Sequence, residues 1–152
     1  MSLQSELLFT ITLQVDPKLQ VVGPSSWGNR RIAQVTGGTF EGPRLRGKAL
    51  PGGGDWLIDR PDGVTQLDVR MTLETDDGAL IYMTYRGLRH GPAAVMARMA
   101  KGEAVDPSEY YFRTVPSFET AAEKYSWLNK AVFVSTGSRV AAGPIYTVYE
   151  IL

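Results

Sequence analysis

The fold is decided by residues 66–85, which read QLDVRMTLETDDGALIYMTY. From Gln66 to Glu74 apolar and polar residues alternate strictly, which is the period-two pattern of a half-buried β-strand. A second strand is predicted from Ala79 to Tyr85. The Asp77-Gly78 pair between the two segments is a strong hairpin signal. The stretch therefore predicts two adjacent antiparallel strands.

The same kind of patterning continues on both sides of this hairpin. Further strands are predicted at Leu8–Val15, Leu19–Val22, Ile32–Phe40, Arg44–Leu50, Tyr110–Thr114, Ala131–Ser135 and Ile145–Leu152. Their spacing, together with sixteen glycines, indicates an antiparallel meander. Closing the meander into a barrel would remove its exposed edges, so we expect an all-β fold, a small antiparallel β-barrel.

One short helix is predicted between the strands. Pro92 stands where a first helical residue is favoured, and Gly102 suits a C-terminal stop. Val95, Met96 and Met99 form one apolar stripe, which is typical of a helix that packs against the barrel. The alternative is a lid, because methionine side chains adapt to different ligands.

Composition narrows the functional classes. The 152 residues suit one domain, residues 1–152, with 43% hydrophobic residues. The absence of cysteine excludes disulfides, thiolate metal sites and cysteine nucleophiles. His90 is the sole histidine, so a multi-histidine metal site is disfavoured, and no dinucleotide fingerprint is present. We expect no metal and no cofactor.

The charge balance and the apolar runs bear on partners. Because sixteen basic residues balance sixteen acidic ones, the protein has no net positive charge that would attract nucleic acid or an anionic membrane. No run approaches the ~20 apolar residues that a bilayer crossing needs, and the N-terminus lacks an export-signal pattern. A cytoplasmic protein with no nucleic-acid or membrane partner is expected.

Aromatic and polar residues are crowded in two neighbouring segments, residues 111–120 and 125–129. Rings with a few polar groups suit the wall of a ligand pocket. Glu119 follows Phe118, and a desolvated glutamate can act as general acid or base; equally, it can be a structural partner of Arg113. The remaining candidates, each with a core or turn role as the alternative, are Tyr125, Trp127 and Asn129.

A second group of candidates surrounds a glycine run. Asp55 and Trp56 follow three glycines, and Asp55 is either a catalytic carboxylate or a turn residue. Asp68 and Arg70 share one strand face, which is either a solvated surface or a charged wall over a ligand. Arg30 belongs to an arginine-rich region in which one or two side chains can hold an anion.

Taken together, these motifs resemble an uncharacterised family of mostly bacterial and fungal proteins, domain of unknown function 3237 (uncharacterised protein family 0311). The likeness covers nearly the whole chain and is loosest from His90 to Ser108. The segments that carry it are residues 23–24, 28–30, 37–47, 51–56, 62–63, 67–70, 75–79, 111–114, 118–120, 125–129 and 146–149.

The resemblance implies a small antiparallel β-barrel, lipocalin-like or allene-oxide-cyclase-like in build, and it implies no established activity or cofactor. Two hypotheses follow. The first is a small-molecule-binding barrel, whose ligand is an anion if the arginines hold it, that acts as a cofactor-independent isomerase, cyclase or lyase on a small oxygenated or carboxylated compound. The second is a non-catalytic structural or oligomer-forming module. Apolar strand faces favour a homo-oligomer in either case.

Overall fold

The structure, a computed structural model, describes residues 1–152. All nine strands expected from the alternation are present, and the expected helix is α1 (Ala93–Ala100). Two short 3₁₀ helices are added at Pro107–Glu109 and Glu123–Lys130. The strands are β1 (Ser5–Val15), β2 (Gln20–Ser25), β3 (Gly28–Glu41), β4 (Arg46–Ala49), β5 (Gly53–Asp59), β6 (Thr65–Thr75), β7 (Leu80–His90), β8 (Tyr111–Glu119), β9 (Val132–Val140) and β10 (Gly143–Ile151).

The strands form one antiparallel sheet that closes on itself. Following the hydrogen bonds, the order is β1, β10, β9, β8, β7 and β6; β4 and β5 then share the place between β6 and β3. Pairing of β3 with β1 closes the circuit, which has eight strand positions. The short strand β2 extends the sheet beside the first half of β3. The predicted antiparallel barrel is confirmed.

The β6–β7 hairpin forms at the place that the Asp-Gly signal indicated. Glu74 faces Leu80 across the pair, and Gly78 takes a φ of +86° in the turn between them. Glycine adopts this left-handed conformation without steric penalty, whereas other residues rarely do. The turn therefore sets the register of the hairpin, and the alternation along β6 then sets which side chains point inward.

The apolar core fills one half of the barrel. Phe118 packs edge-to-face against Phe9 and Phe133, with ring centroids 5.8 and 4.9 Å apart. The 3₁₀ helix Glu123–Lys130 closes this end by burying Tyr125 and Leu128. The other half is less completely filled, and it is there that the barrel holds its largest cavity.

The one α-helix lies over that less filled half. It has eight residues, which is far too few for a helical membrane crossing. None of its residues is fully buried, although Val95, Met96 and Met99 pack against the core cluster. The expected apolar stripe is thus present on the helix, and part of it faces the cavity.

Candidate functional site

The largest cavity has a volume of about 580 Å³, within the usual range for small-molecule sites. Its wall is mainly apolar, with Leu13, Val35 and Val69 among its residues. Met96 and Met99 of α1 close one side. Polar side chains enter it in two layers, one deep in the barrel and one near its end.

Asp55 on β5 belongs to the deep layer. Its backbone pairs with Val69 of β6, but the β5–β6 ladder is interrupted at the next two residues, Trp56 and Leu57. The backbone N–H of Asp68, which lies opposite this gap, donates instead to the Asp55 carboxylate at 3.0 Å. The carboxylate thus substitutes for a missing backbone acceptor and is held in one position.

Burial raises the pKa of Asp55 from 3.8 to about 6, although the Asp68 N–H and the charge of Arg89 both act to lower it. Loss of bulk water disfavours the ionised form. The Asp68 N–H and Arg89 offset this effect only in part, so the carboxyl titrates close to neutral pH. Such a group can both accept and release a proton under ordinary conditions.

Two tyrosines lie in the same layer as Asp55. The rings of Tyr85 and Tyr146 are 4.9 Å apart, and Phe112 meets Tyr146 edge-on at 5.4 Å. Burial raises the pKa of both tyrosines, so their hydroxyls stay protonated. The two hydroxyls also share a hydrogen bond, which acts to raise the pKa of Tyr85 and to lower that of Tyr146, so Tyr85 is its donor. The Tyr146 hydroxyl therefore keeps a proton that it can donate to an oxygen atom of a bound molecule.

The second polar layer follows one line across four neighbouring strands. Backbone pairing joins Asn29 to Asp59, Asp59 to Thr65, and Thr65 to Arg89. All four residues line the cavity. The register of the sheet, rather than closeness in sequence, therefore assembles this layer.

Within the second layer, Asp59 already has its partners. Arg31 donates to it through Nε and a terminal nitrogen, at 2.8 and 3.1 Å, and the Thr65 hydroxyl donates at 2.8 Å. Burial acts to raise the pKa of Asp59, but the bonds from Arg31 and Thr65 outweigh it and hold the pKa below its ordinary value. The Arg31–Asp59 pair is therefore internally neutralised.

Arg89 has no such partner. Its guanidinium lies over the Phe112 ring, 5.5 Å from the centroid, and it forms no ion pair, while its Nε is buried without a hydrogen-bond acceptor. Burial, followed by the nearby charge of Arg139, lowers the pKa of Arg89. Asn29 likewise keeps a buried side-chain oxygen without a donor. The cavity thus contains polar groups that the protein itself leaves unsatisfied.

Of the residues predicted from sequence, the structure places Asp55 in the cavity and a second group on the outside of the barrel. Arg30 donates to the backbone oxygen of Trp56 at 2.6 Å, and Arg70 lies 5.4 Å from the Trp56 ring. Asp68 points outward and comes within 3.8 Å of Arg86. The Asp68–Arg70 face is therefore the outer one.

Arg113 and Glu119 lie on the exposed face of β8. Arg113 donates to the backbone oxygen of Phe112 at 2.8 Å and stacks near Tyr111, and no Arg113–Glu119 ion pair is formed. Neither side chain lines the cavity. Ligand binding by Arg113 and catalysis by Glu119 stay predictions.

The candidates from residues 125–129 lie at the opposite end of the barrel. The Tyr125 hydroxyl donates to Asp77 at 2.9 Å, and Arg44 stacks on Trp127 at 4.1 Å. Asn129 accepts from the backbone N–H of Thr120 at 2.8 Å and donates to its C=O at 2.9 Å. These contacts hold the closing 3₁₀ helix in place, away from the cavity.

Sequence reasoning missed several residues that line the cavity, among them Arg31, Asp59, Tyr85, Arg89 and Tyr146. A usable signal was present in β7, where continuing the inward alternation from Ile81 through Tyr85 reaches Arg89. Strand β5 itself was not predicted, because its first residues belong to the glycine run and were interpreted as part of a flexible excursion. No cluster of three or more metal-ligating side chains forms in the protein.

With this geometry established, comparison with known proteins places the chain. A family model described as "Protein of unknown function (DUF3237)" matches residues 3–151. The chain belongs to the DUF3237 family. It is 38% identical over 146 residues to a UPF0311 protein of Clostridium acetobutylicum, covering 96% of this chain and 92% of that one. The family resemblance seen in the sequence is thereby confirmed.

Solved structures with similar sequences share this fold. A conserved protein of unknown function from Rhodopseudomonas palustris is 36% identical, with a TM-score of 0.96 over 100% of this chain and 99% of that one. A beta-barrel like protein from Acinetobacter baumannii is 42% identical, with a TM-score of 0.88 over 100% and 98%. An enzyme from Penicillium herquei, 22% identical with a TM-score of 0.76 over 100% and 96%, shares the fold.

Proposed function

We propose that the protein binds a small oxygenated or carboxylated compound in the barrel cavity and acts on it as a cofactor-independent isomerase, cyclase or lyase. The observation that carries this proposal is Asp55, a carboxyl with a pKa of about 6 in the wall of a cavity of about 580 Å³. A carboxyl group whose pKa lies near neutrality and which faces a ligand-sized space is suited to proton transfer.

The chemistry can be written for the simplest case, isomerisation next to a carbonyl group. Ionised Asp55 takes a proton from the carbon beside the carbonyl, the C–H electron pair forms a C=C bond, and the carbonyl π pair moves to oxygen. The resulting enolate accepts a hydrogen bond from the neutral hydroxyl of Tyr146, which in turn accepts one from Tyr85. Where a second C=C bond lies next to the reacting carbon, the intermediate is a dienolate: Asp55 returns the proton at its far carbon, the C=C bond moves into conjugation with the re-formed carbonyl, and atoms and charge balance. Cyclases and lyases can begin with the same proton removal.

The surroundings of Asp55 support this role. The hydrogen bond from the Asp68 N–H fixes the carboxylate, so little ordering is left for the reaction itself. The apolar wall and the Met96–Met99 side of α1 limit the access of water to the enolate. The proposal assigns proton transfer to Asp55 and not to Glu119, because Glu119 lies on the exposed face of β8.

The experiment that tests the proposal begins with a thermal-shift screen of carboxylates and phenols. A compound present at 100 times its dissociation constant stabilises the protein by about 2.7 kcal/mol, which is a readily measured shift. Compounds that bind are then incubated with the protein, and isomerised, cyclised or cleaved products are sought.

Asp55→Asn should abolish turnover while the ligand still binds, and Glu119→Gln serves as the matched control on the outer face. Full turnover by Asp55→Asn would contradict the proposed chemistry. A screen without a single binder would contradict the cavity function altogether.

A second candidate, the oligomer-forming module, is favoured by one observation. Val115 of β8 and both Val132 and Val134 of β9 are exposed on the outside of neighbouring strands. Such an apolar outer face supports self-association. Light scattering after gel filtration tests it: a monomer at every concentration would contradict it, and a dimer that Val134→Lys dissociates would support it.

A further inference from the structure

Five charged side chains line the cavity, and their balance is uneven. They are Arg31, Asp55, Asp59, Arg89 and Arg139. Three cations against two carboxylates leave one net positive charge when both carboxylates are ionised. Since Arg31 and Asp59 neutralise each other through two hydrogen bonds, the excess charge resides with Arg89 and Arg139.

The sheet register places these two arginines on β7 and β9, the strands on either side of β8 and its Phe112. Arg89 pairs with Phe112 across β7 and β8. Gly137 of β9 packs against the Phe112 ring, where an added Cβ would come within 2.8 Å of it. Arg139 lies two residues further along β9 and therefore on the same face of the strand. The Arg89 guanidinium lies over the Phe112 ring, and the charge of Arg139 is near enough to lower the pKa of Arg89.

Neither arginine has an anionic partner within the protein. No carboxylate forms an ion pair with Arg89 or Arg139, in contrast to Arg31, Arg44, Arg46 and Arg60. The buried Nε of Arg89 also lacks an acceptor. Buried donors in folded proteins are nearly always satisfied, and two like charges close together favour an anion between them.

We infer that Arg89 and Arg139 form a carboxylate subsite, and that the cavity takes a ring-bearing monocarboxylate whose body lies along Phe112 and Tyr146 toward Asp55. This inference rests on the proposed function and names its substrate class. A single carboxylate matches the one net positive charge, whereas a dianion such as a phosphate monoester would leave the cavity negative. The guanidinium fork suits the two carboxylate oxygens.

The dimensions agree with a ligand of this kind. Asp59 and Asp55 are four residues apart on β5, as are Arg89 and Tyr85 on β7. At about 3.3 Å per residue, the two polar layers are separated by roughly 13 Å of strand. The long side chain of Arg89 shortens the gap, so a carboxylate on one or two rings can reach from the arginines to Asp55.

The experiment compares acids with their uncharged amides. Calorimetry measures the binding of benzoate, cinnamate and 2-naphthoate, each beside benzamide, cinnamamide or 2-naphthamide, to the full chain at pH 7.5. Arg89→Met keeps much of the apolar length and removes the charge. Arg86→Met is the matched control, because Arg86 lies on the same strand but its side chain is 85% exposed outside the barrel.

At least one acid should bind more tightly than its amide, and Arg89→Met should weaken that acid about 10- to 100-fold, as expected for lost charged hydrogen bonds. The affinity for the amide should change by less than about threefold in Arg89→Met. Arg86→Met should leave the affinities for the acid and for the amide unchanged. Arg139→Gln should weaken the acid alone, and Arg89→Lys should restore part of the affinity. If Arg89→Met does not melt cooperatively, the same comparison of acid with amide is made with two other variants. These are Arg139→Gln, which changes an exposed residue, and Arg89→Lys.

The outcomes separate this inference from the proposal on which it rests. Amides that bind as tightly as their acids, or acids that Arg89→Met and Arg139→Gln leave unaffected, would overturn the carboxylate subsite while the cavity function stands. Failure of every acid and every amide to bind, when the thermal-shift screen yields other binders, would likewise overturn only the subsite. A blank in both experiments would overturn both.

Discussion

Replacing Asp55 by asparagine should stabilise the folded protein at neutral pH, even though it removes the proposed proton-transfer group. Asparagine has nearly the same shape as aspartate, and its side-chain oxygen can still accept the hydrogen bond from the Asp68 N–H. What disappears is the ionised carboxylate and the penalty for holding it in the barrel wall.

The magnitude follows from the pKa. Burial raises the pKa of Asp55 from 3.8 to about 6, a difference of about two units, and each unit corresponds to 1.36 kcal/mol. Because the folded state binds this proton more tightly than the unfolded chain, stability falls as pH rises from about 4 to about 6. Above pH 7 the wild-type protein therefore carries a penalty of roughly 3 kcal/mol that Asp55→Asn lacks.

The assay is thermal or urea unfolding of both proteins from pH 4 to pH 8. At this chain length 1 kcal/mol shifts the melting temperature by about 2–4 °C, so Asp55→Asn should melt up to about 10 °C higher at pH 7.5. The advantage should shrink to nearly nothing at pH 4. Asp68→Asn is the matched control, since that carboxylate lies on the outer face of the barrel.

The reasoning would be refuted by either of two results. An Asp55→Asn protein less stable than the wild type at pH 7.5 would mean that the carboxylate contributes more through its contacts than burial takes away. A stability difference that stays constant from pH 4 to pH 8 would mean that the Asp55 carboxyl is not desolvated in the folded protein.

Three further outcomes are expected. Gly137→Ala would place a Cβ 2.8 Å from the Phe112 ring, so unfolding experiments should show a loss of roughly 1–3 kcal/mol; unchanged stability would mean that the ring can move aside. Asn129→Ala removes two hydrogen bonds to Thr120 and should lower stability by about 1–3 kcal/mol without changing ligand binding in the cavity, as calorimetry can verify. The binding of 2-naphthoate should tighten from pH 7.5 to pH 5.5, because protonation of Asp55 removes a negative charge. At ~10–13 Å, an effective dielectric of about 20 and a pKa of about 6, which leaves Asp55 partly ionised at pH 5.5, the gain is roughly 5- to 9-fold, and an unchanged affinity would contradict it. The charged and titratable groups around Asp55 in that experiment are Arg31, Asp59, Asp68, Tyr85, Arg89, Arg139 and Tyr146.

Much of the fold was predictable from local pattern. Alternation from Gln66 to Glu74 identifies β6, and the Asp-Gly turn identifies its pairing with β7. The reason is that strand periodicity and turn conformation depend on residues close in sequence. Strand β5 was missed because a run of glycines predicts flexibility when read locally. In the barrel, Gly53 lies close to the backbone of Arg70, where an added Cβ would come within 2.5 Å.

The candidate site was predictable only in part. Asp55 was singled out as a carboxylate after the glycine run, and the structure places it in the cavity wall. Glu119 was singled out because it follows Phe118, but alternation along β8 puts that phenylalanine inside and the glutamate outside. In a strand with one buried face, the residue next to a buried side chain is therefore expected to be exposed, since successive side chains point to opposite faces.

By itself, the sequence determined nine of the ten strands, how the β6–β7 hairpin turns and which residues of a strand share a face, because each depends on neighbours a few positions away. Only the tertiary structure decided which polar residues meet. Asp55, Arg89 and Tyr146 come from three strands far apart in the chain, and the barrel register brings them around one cavity. It also decided that Asp55 faces a desolvated interior while Asp68 faces outward. Burial and charge pairing depend on which strands lie side by side, and that is settled by closing the sheet rather than by any local pattern.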